Sequence, residues 1–165
     1  MTLETERLQI RLPSTSDVAF FYKLMNTDMW IKHIGDRGIN SMEKAVEYIE
    51  SLKSKYHSVG FTLYVITQSK TPIGLCGLLK RDYLDHPDLG FALLPDFMGN
   101  GYIQEAATSI LNDVFQNQEF SKILAITSPN NMASQSTLER LGFISQGIIH
   151  TPEHEEVLLY EKQKK

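Results

Sequence analysis

A strand–turn–helix–strand pattern in the middle of the chain most constrains its fold. The apolar run Leu89–Leu94 is too short for a helix and predicts a buried strand. A turn with Gly99 and Gly101 follows, and apolar residues then recur at helical spacing over Ile103–Phe115. A second short apolar run, Ile123–Ile126, comes after the helix. Such a βαβ unit places its two strands parallel, with the helix crossing over between them.

The two glycines lie where the first strand gives way to the helix. The first backbone N–H groups of a helix have no intrahelical partner, and the helix dipole adds partial positive charge there. Glycine also lets a ligand approach the backbone closely because it has no Cβ. The turn therefore suits a phosphate or pyrophosphate; the alternative is that Gly99 and Gly101 only shape a tight turn. No Gly-Lys-Ser/Thr follows, which disfavours a P-loop.

Hydrophobic patterns along the rest of the chain complete the order β α α β β β α β α β β. Residues 26–40 break the periodicity and are expected to form a loop. The order predicts a mixed α/β (α+β) fold whose sheet is parallel only in its middle. The predicted strands are Leu8–Leu12, Phe61–Thr67, Ile73–Leu79, Leu89–Leu94, Ile123–Ile126, Phe143–His150 and Val157–Lys162.

Composition narrows the class of protein. At 165 residues the chain is expected to form a single domain over residues 1–165. A net charge of −4 predicts no binding to nucleic acid or to an anionic membrane, and no apolar run is long enough to cross a bilayer. One cysteine, Cys76, cannot form an intramolecular disulfide and is typical of a reducing cytosol. The charged first residues have no signal-peptide pattern, so we expect a cytoplasmic protein.

Three segments together resemble one family. ETERLQIRLPSTSDVAFFYKL at Glu4–Leu24 matches the pattern TeRLxLRxxxxxD, and LGFALLPDFMGNGYIQEA at Leu89–Ala106 matches iGYxLxPxxxGxGyxxEA. NNMASQSTLERLGF at Asn130–Phe143 matches NxxSxxxlexlGF. In these segments the chain resembles the GNAT acetyltransferases, and among them the RimJ/RimL-type N-terminal acetyltransferases of ribosomal proteins.

The resemblance implies a coenzyme site around the glycine turn. It implies a sheet of six to seven strands with helices on both faces and a central parallel pair that splays to admit the pantetheine arm of acetyl-CoA. The pyrophosphate would bind backbone N–H groups of the turn. Asp96 stands where many relatives have Arg or Gln, so we expect phosphate binding to depend on backbone amides. The implied coenzyme contacts are Phe91, Leu93, Leu94, Met98, Gly99, Asn100, Gly101, Tyr102, Ile103 and Asn131.

Direct acetyl transfer requires a neutral amine, a polarised carbonyl and a proton for the leaving thiolate. By the resemblance, Asp88 is the candidate base and Ser134 the candidate acid, since the position of the usual tyrosine holds Leu138. A strand amide, that of Leu93, would polarise the carbonyl. The alternatives are that Asp88 only ends a loop, and that Ser134 satisfies a backbone group in the first helical turn.

The acceptor is predicted only as a primary amine, either a protein N-terminus or a small molecule. Trp30 and His33, in the loop 26–40, are candidate substrate-binding residues, with a lid or packing role as the alternative. Cys76 lies in a strand run and is expected in the core. The five histidines show no metal-ligand spacing, so no metal is expected.

Two other function classes remain open at this point. A non-catalytic acyl-CoA-binding or regulatory domain would retain the fold without turnover; Asp96, Leu138 and the short carboxylate of Asp88 favour it. A nucleotide-binding switch or kinase could use the same glycine turn. The family resemblance implies a monomer or a homodimer.

Overall fold

The computed structural model describes residues 2–165 as one eight-stranded sheet with helices packed against it. The strands lie in the order β1-β2-β3-β4-β5-β6-β8-β7, and the central pair, β5 and β6, is parallel. None of the helices in residues 2–165 is both long and apolar enough to cross a bilayer. The strands are β1 (Thr2–Glu4), β2 (Gln9–Arg11), β3 (Leu63–Gln68), β4 (Thr71–Leu79), β5 (Asp88–Leu93), β6 (Lys122–Thr127), β7 (Ile144–His150) and β8 (Glu156–Gln163). The helices are α1 (Val18–Leu24), α2 (Asp28–His33), α3 (Met42–Val59), α4 (Tyr102–Asn117) and α5 (Met132–Arg140).

Two short elements are missing from the sequence-based prediction. Strand β1 pairs antiparallel with β2, with Leu3 opposite Ile10. Helix α2 lies inside the expected loop 26–40 and begins after Thr27, whose hydroxyl accepts from the Trp30 N–H at 3.3 Å. Strands of three residues and helices of six are too short to display a hydrophobic period. The sheet therefore has eight strands rather than the expected six to seven.

Each face of the sheet carries a hydrophobic layer. Along β3, Tyr64 and Ile66 pack with α4 and α5, whereas Leu63 and Val65 pack with α1, α2 and α3. This division follows from the alternation of side chains along a strand. It confirms the expectation of helices on both faces. The predicted stripe of α4 is buried at Ile103, Ala106, Ala107, Ile110, Leu111 and Val114, and its last member, Phe115, is half-buried.

Strands β5 and β6 pair only near their first residues. Asp88 faces Leu124, and the Leu124 N–H donates to the Pro87 carbonyl at 2.9 Å. Further along, β5 stays with β4 as far as Leu93, and β6 stays with β8 as far as Thr127. The two parallel strands therefore diverge, and a gap opens between their C-terminal halves. The glycine turn and the first turn of α4 follow β5 at the open end of this gap.

Candidate functional site

The edge of β5 that faces the gap carries unpaired backbone groups. The Leu94 N–H donates to the Ile73 carbonyl on β4 at 2.8 Å, whereas the Pro87 carbonyl accepts from β6. Because the backbone groups of an antiparallel strand alternate between its two sides, Phe91 and Leu93 direct their N–H and C=O groups toward β6. At their level β6 has already diverged. An extended ligand in the gap can therefore pair with β5 as an added strand would.

Leu94 is oriented differently from the other predicted coenzyme contacts on this strand. Its N–H is bonded to Ile73, and its carbonyl accepts from the Phe97 N–H at 3.0 Å. Its side chain packs in the layer formed with α1, α2 and α3. Leu94 therefore has no N–H free for a ligand in the gap, and its carbonyl already has a partner.

The turn before α4 exposes a run of backbone donors. Gly99 and Gly101 have φ values of 81° and 77°, in the left-handed region that glycine tolerates. Within residues 2–165, the N–H groups from Gly99 to Gln104 donate to no protein acceptor. The first bond of the helix runs from the Glu105 N–H to the Gly101 carbonyl at 3.1 Å. Consecutive free donors at a helix N-terminus form a site for an anion such as pyrophosphate.

The predicted contacts from Met98 to Ile103 thus lie together in the turn that exposes these free N–H groups. Their roles are not equal, because the Met98 N–H is already bonded to the Pro95 carbonyl at 3.2 Å. Met98 is exposed beside the turn and offers its side chain, whereas the next residues offer N–H groups.

Arg7, in the loop between β1 and β2, links the glycine turn and the first turn of α4 to the N-terminal part of the chain. Its Nε donates to Glu105 Oε2 at 2.7 Å, and its Nη1 donates to the Asn100 carbonyl at 2.9 Å. The guanidinium also stacks 4.5 Å from the ring centroid of Tyr102. Burial alone would raise the pKa of Glu105, but bonds from Thr5 and Arg7 outweigh it and lower that pKa. Hydrogen bonds and the ion pair between Arg7 and Glu105 therefore stabilise the turn.

Sequence reasoning misses Arg7 as a site residue, although it falls in one of the family-like segments. Asp96 is exposed and brings no positive charge to the turn, as expected. Arg7 does bring one: its Nη2 lies 3.6 Å from the position that a Cβ on Gly101 would take. A side-chain cation therefore lies beside the turn, contributed by a distant part of the chain.

A shallow, open groove of about 570 Å³, lined mostly by residues with polar side chains, continues from the turn along α4. It extends from Gly101 to Arg140, the last residue of α5. The Gln104 Oε1 atom beside it is buried and has no hydrogen-bond partner within residues 2–165. The groove is wide enough for part of a nucleotide and adjoins the free N–H groups.

The first turn of α5 borders the gap from the β6 side. Asn131 Oδ1 accepts from the Ser134 N–H at 3.2 Å, so the side-chain N–H₂ of Asn131 is the group left for a ligand. Within the described residues the Ser134 hydroxyl makes no hydrogen bond, whereas Thr137 donates back to the Ala133 carbonyl at 3.0 Å. The Ser134 hydroxyl is therefore available as a donor. Leu138, one turn further, is buried and supplies no hydroxyl.

Asp88, the first residue of β5, forms a buried ion pair. Its side chain is 1% exposed, and both carboxylate oxygens accept from Arg81 Nε, at 3.1 and 3.2 Å. Burial raises the pKa of Asp88, and Arg81 offsets this only in part. A raised pKa suits a proton acceptor, but the ion pair and the burial leave the carboxylate without an open path to solvent. Sequence reasoning misses Arg81, because its loop has no periodicity that would orient it.

Helix α2 brings one of the two predicted acceptor residues to the gap. His33 is half-buried, and its Nδ1 lies 3.3 Å from the hydroxyl of Ser128, which directly follows β6. Trp30 is instead 4% exposed and packs in the same layer as Leu94, with its indole N–H unpartnered within residues 2–165. Helix α2 therefore reaches the β6 side of the gap through His33, whereas Trp30 belongs to the buried layer.

Cys76 is a core residue, as expected. It is fully buried in β4, and burial raises the pKa of its thiol to about 12. Since the thiolate is the reactive form, this cysteine is a poor nucleophile. Within residues 2–165 no three His, Cys, Asp or Glu side chains are grouped to hold a metal ion.

Comparison with known proteins gives one consistent result. The family model described as "Acetyltransferase (GNAT) domain" matches residues 7–144. The uncharacterized N-acetyltransferase YoaA of Bacillus subtilis is 23% identical over 152 residues, which cover 89% of this chain and 85% of YoaA. RimL, the ribosomal L7/L12 alpha-N-protein acetyltransferase in complex with coenzyme A, superposes with a TM-score of 0.87 at 15% identity, over 99% of this chain and 98% of its own. An acetyltransferase from Salmonella typhimurium that modifies the N-terminal serine of ribosomal protein L7/L12 gives a TM-score of 0.84 at 15% identity, over 98% and 97% of the two chains.

Proposed function

This chain belongs to the GNAT acetyltransferase family, and from that premise we propose that it transfers an acetyl group from acetyl-CoA to a primary amine by direct attack. The observation that carries the proposal is that the site has two stretches of backbone whose hydrogen-bonding groups have no partner. One is the β5 edge at Phe91 and Leu93, and the other is the run of free N–H groups from Gly99 to Gln104. They lie in succession along the chain, as the amides and the pyrophosphate do along coenzyme A.

Each part of the coenzyme has a matching surface. The pantetheine amides pair with Phe91 and Leu93 in the gap, with Asn131 donating from the β6 side. The pyrophosphate binds the free N–H groups of the glycine turn. The nucleotide end enters the groove between Gly101 and Arg140. Acetyl-CoA is a cosubstrate here, and the proposed chemistry uses no metal.

The proposed reacting groups border the same gap. A gap-facing N–H of β5 donates to the thioester oxygen and stabilises the negative charge that develops there during attack. The Ser134 hydroxyl donates its proton to the departing sulfur. Asp88 is the base that the family resemblance implies, and its buried ion pair with Arg81 leaves it without an open path to solvent.

The acceptor is a protein N-terminal α-amine or a small amine. Named structural neighbours that acetylate ribosomal proteins, among them RimL and the Salmonella protein that modifies a terminal serine, support the first class. Their identity with this chain is 15%, so the shared fold alone is the basis, and both classes of acceptor belong in the first test.

The test is release of free thiol from acetyl-CoA by the purified protein. The amine panel holds peptides that begin with serine or alanine, together with a polyamine, an aminoglycoside and single amino acids. We expect thiol release that depends on both the protein and one class of amine, and a thermal shift with CoA. Stabilisation by CoA without turnover on any amine would support the non-catalytic alternative. Stabilisation by ATP–Mg²⁺ but not by CoA would overturn the proposal.

A further inference from the structure

His33 links helix α2 to the turn that follows β6. It is the last residue of α2, and its Nδ1 lies 3.3 Å from the Ser128 hydroxyl. The Ser128 carbonyl in turn accepts from the Asn131 N–H at 3.0 Å, and Asn131 caps α5 through the Ser134 N–H. His33 is therefore attached to the same short turn that holds the proposed proton donor.

The direction of these hydrogen bonds defines the tautomer of the neutral imidazole. The Ser128 hydroxyl lies 3.0 Å from Asn130 Oδ1, an amide oxygen that can only accept. The hydroxyl proton must therefore point to Asn130, and the Ser128 oxygen then accepts from His33. It follows that Nδ1 carries the proton and that Nε2 retains a free lone pair.

The free Nε2 is better placed to receive a proton than the carboxylate of Asp88. Asp88 is 1% exposed and engages Arg81 with both oxygens. His33 is half-buried at the open end of the gap, and its other nitrogen is already fixed in orientation by Ser128. Proton transfer requires a base that is held in a fixed orientation and has a free acceptor atom. His33 meets both conditions, because Ser128 orients its Nδ1 and its Nε2 is free.

We propose that His33 Nε2 is the general base for the incoming amine, which rests on the acyl transfer proposed above. An ammonium acceptor gives one proton to Nε2, and the neutral nitrogen forms a bond to the thioester carbon. The C–S bond breaks as Ser134 gives its proton to the sulfur and takes the second proton from nitrogen. The products are the amide and the free thiol; His33 then releases its proton to solvent.

The kinetic test uses His33→Ala, with His57→Ala on the exposed side of α3 as the matched control. With a serine-terminal peptide as acceptor, kcat should fall by about 100-fold or more, as expected for loss of a general base, while CoA affinity stays unchanged. Added imidazole should restore part of the lost turnover in His33→Ala and have no effect on His57→Ala. Full activity of His33→Ala, or a loss that imidazole does not reverse, would overturn the assignment.

A second measurement tests the tautomer independently of any acetyl transfer. Long-range ¹⁵N–¹H correlation spectra, recorded in alkaline buffer where imidazole is neutral, distinguish the two tautomers of the free protein. We expect His33 to be protonated at Nδ1, and Ser128→Ala to abolish this preference. Protonation at Nε2 would overturn the proposal even if the protein acetylates amines. A normal Nδ1–H signal without acetylation of any amine would instead overturn the proposed function.

Discussion

Arg81 Nε lies 3.1 and 3.2 Å from the two carboxylate oxygens of Asp88, and the two partners differ sharply in exposure. The Asp88 side chain is 1% exposed and that of Arg81 is 27% exposed. Removing either partner leaves the other without its counter-charge, but only Arg81 can recover hydration by a small movement. The ion pair is therefore asymmetric, and the two single substitutions should differ in cost.

We expect Arg81→Gln to destabilise the protein more than Asp88→Asn. An unpaired buried carboxylate costs about 3–5 kcal/mol, and the partly exposed guanidinium should cost less. Burial raises the pKa of Asp88, so its protonated form is favoured in the folded state; Arg81→Gln should regain stability as the pH falls through that raised pKa. Urea unfolding at neutral and mildly acidic pH measures both effects. Equal costs, or a loss of stability on mild acidification of Arg81→Gln, would contradict this account.

Arg7→Gln should weaken CoA binding by about tenfold, or ~1.4 kcal/mol, because the glycine turn loses its brace and its nearby charge. Glu105, Asn100 and Tyr102 all contact the Arg7 guanidinium. Lys53→Gln is the control, since Lys53 pairs with Glu50 on α3, at 3.5 Å. Titration calorimetry with CoA measures the effect; equal affinity of the two variants would remove Arg7 from the site.

Gly101→Val should reduce CoA affinity strongly, and Gly101→Ala less so. At Gly101 a Cβ would meet only Arg7 Nη2, at 3.6 Å, so the expected cost is conformational rather than steric. A residue other than glycine at φ of 77° costs about 1–2 kcal/mol, and a β-branched one more. Relief of that strain would turn the free N–H groups away from the phosphates. The control is Gly147→Ala, because Gly147 also has a positive φ but lies in the edge strand β7. If Gly101→Val bound CoA with wild-type affinity, the turn would be excluded as the phosphate site.

Ser134→Ala should lower kcat by about 100-fold and leave the CoA dissociation constant unchanged. Its hydroxyl has no partner in the described part of the chain, so its removal should not affect folding. Thr137→Ala, on the same helix, is the control, because its hydroxyl is engaged within the helix, where it donates to the Ala133 carbonyl at 3.0 Å. Steady-state kinetics with acetyl-CoA distinguish the two variants. Unchanged turnover in both would place the proton donor elsewhere.

The sequence predicts those parts of the structure that depend on the spacing and type of residues close together in the chain. The buried stripe of α4 and the glycine turn are both found where spacing and residue type predict them. The short elements β1 and α2 have too few residues for any period to emerge.

The parts that the sequence does not predict depend on long-range contacts. Arg7 meets Glu105, and His33 meets Ser128, each across a large separation in the chain. No periodicity encodes such pairs, because they arise only when the sheet brings distant loops to one end of the molecule. The same holds for Arg81, which pairs with the buried Asp88.

Mass spectrometry of the amine product, with free thiol measured in the same reaction, tests the central claim most directly. The protein is incubated with acetyl-CoA and the amine panel, with Gly101→Val alongside it. We predict that one class of primary amine gains a single acetyl group, that one thiol is released for each amide formed, and that Gly101→Val is much slower. Binding of CoA without acetylation of any amine, or thiol release without an acetylated product, would contradict the claim that this chain is an N-acetyltransferase.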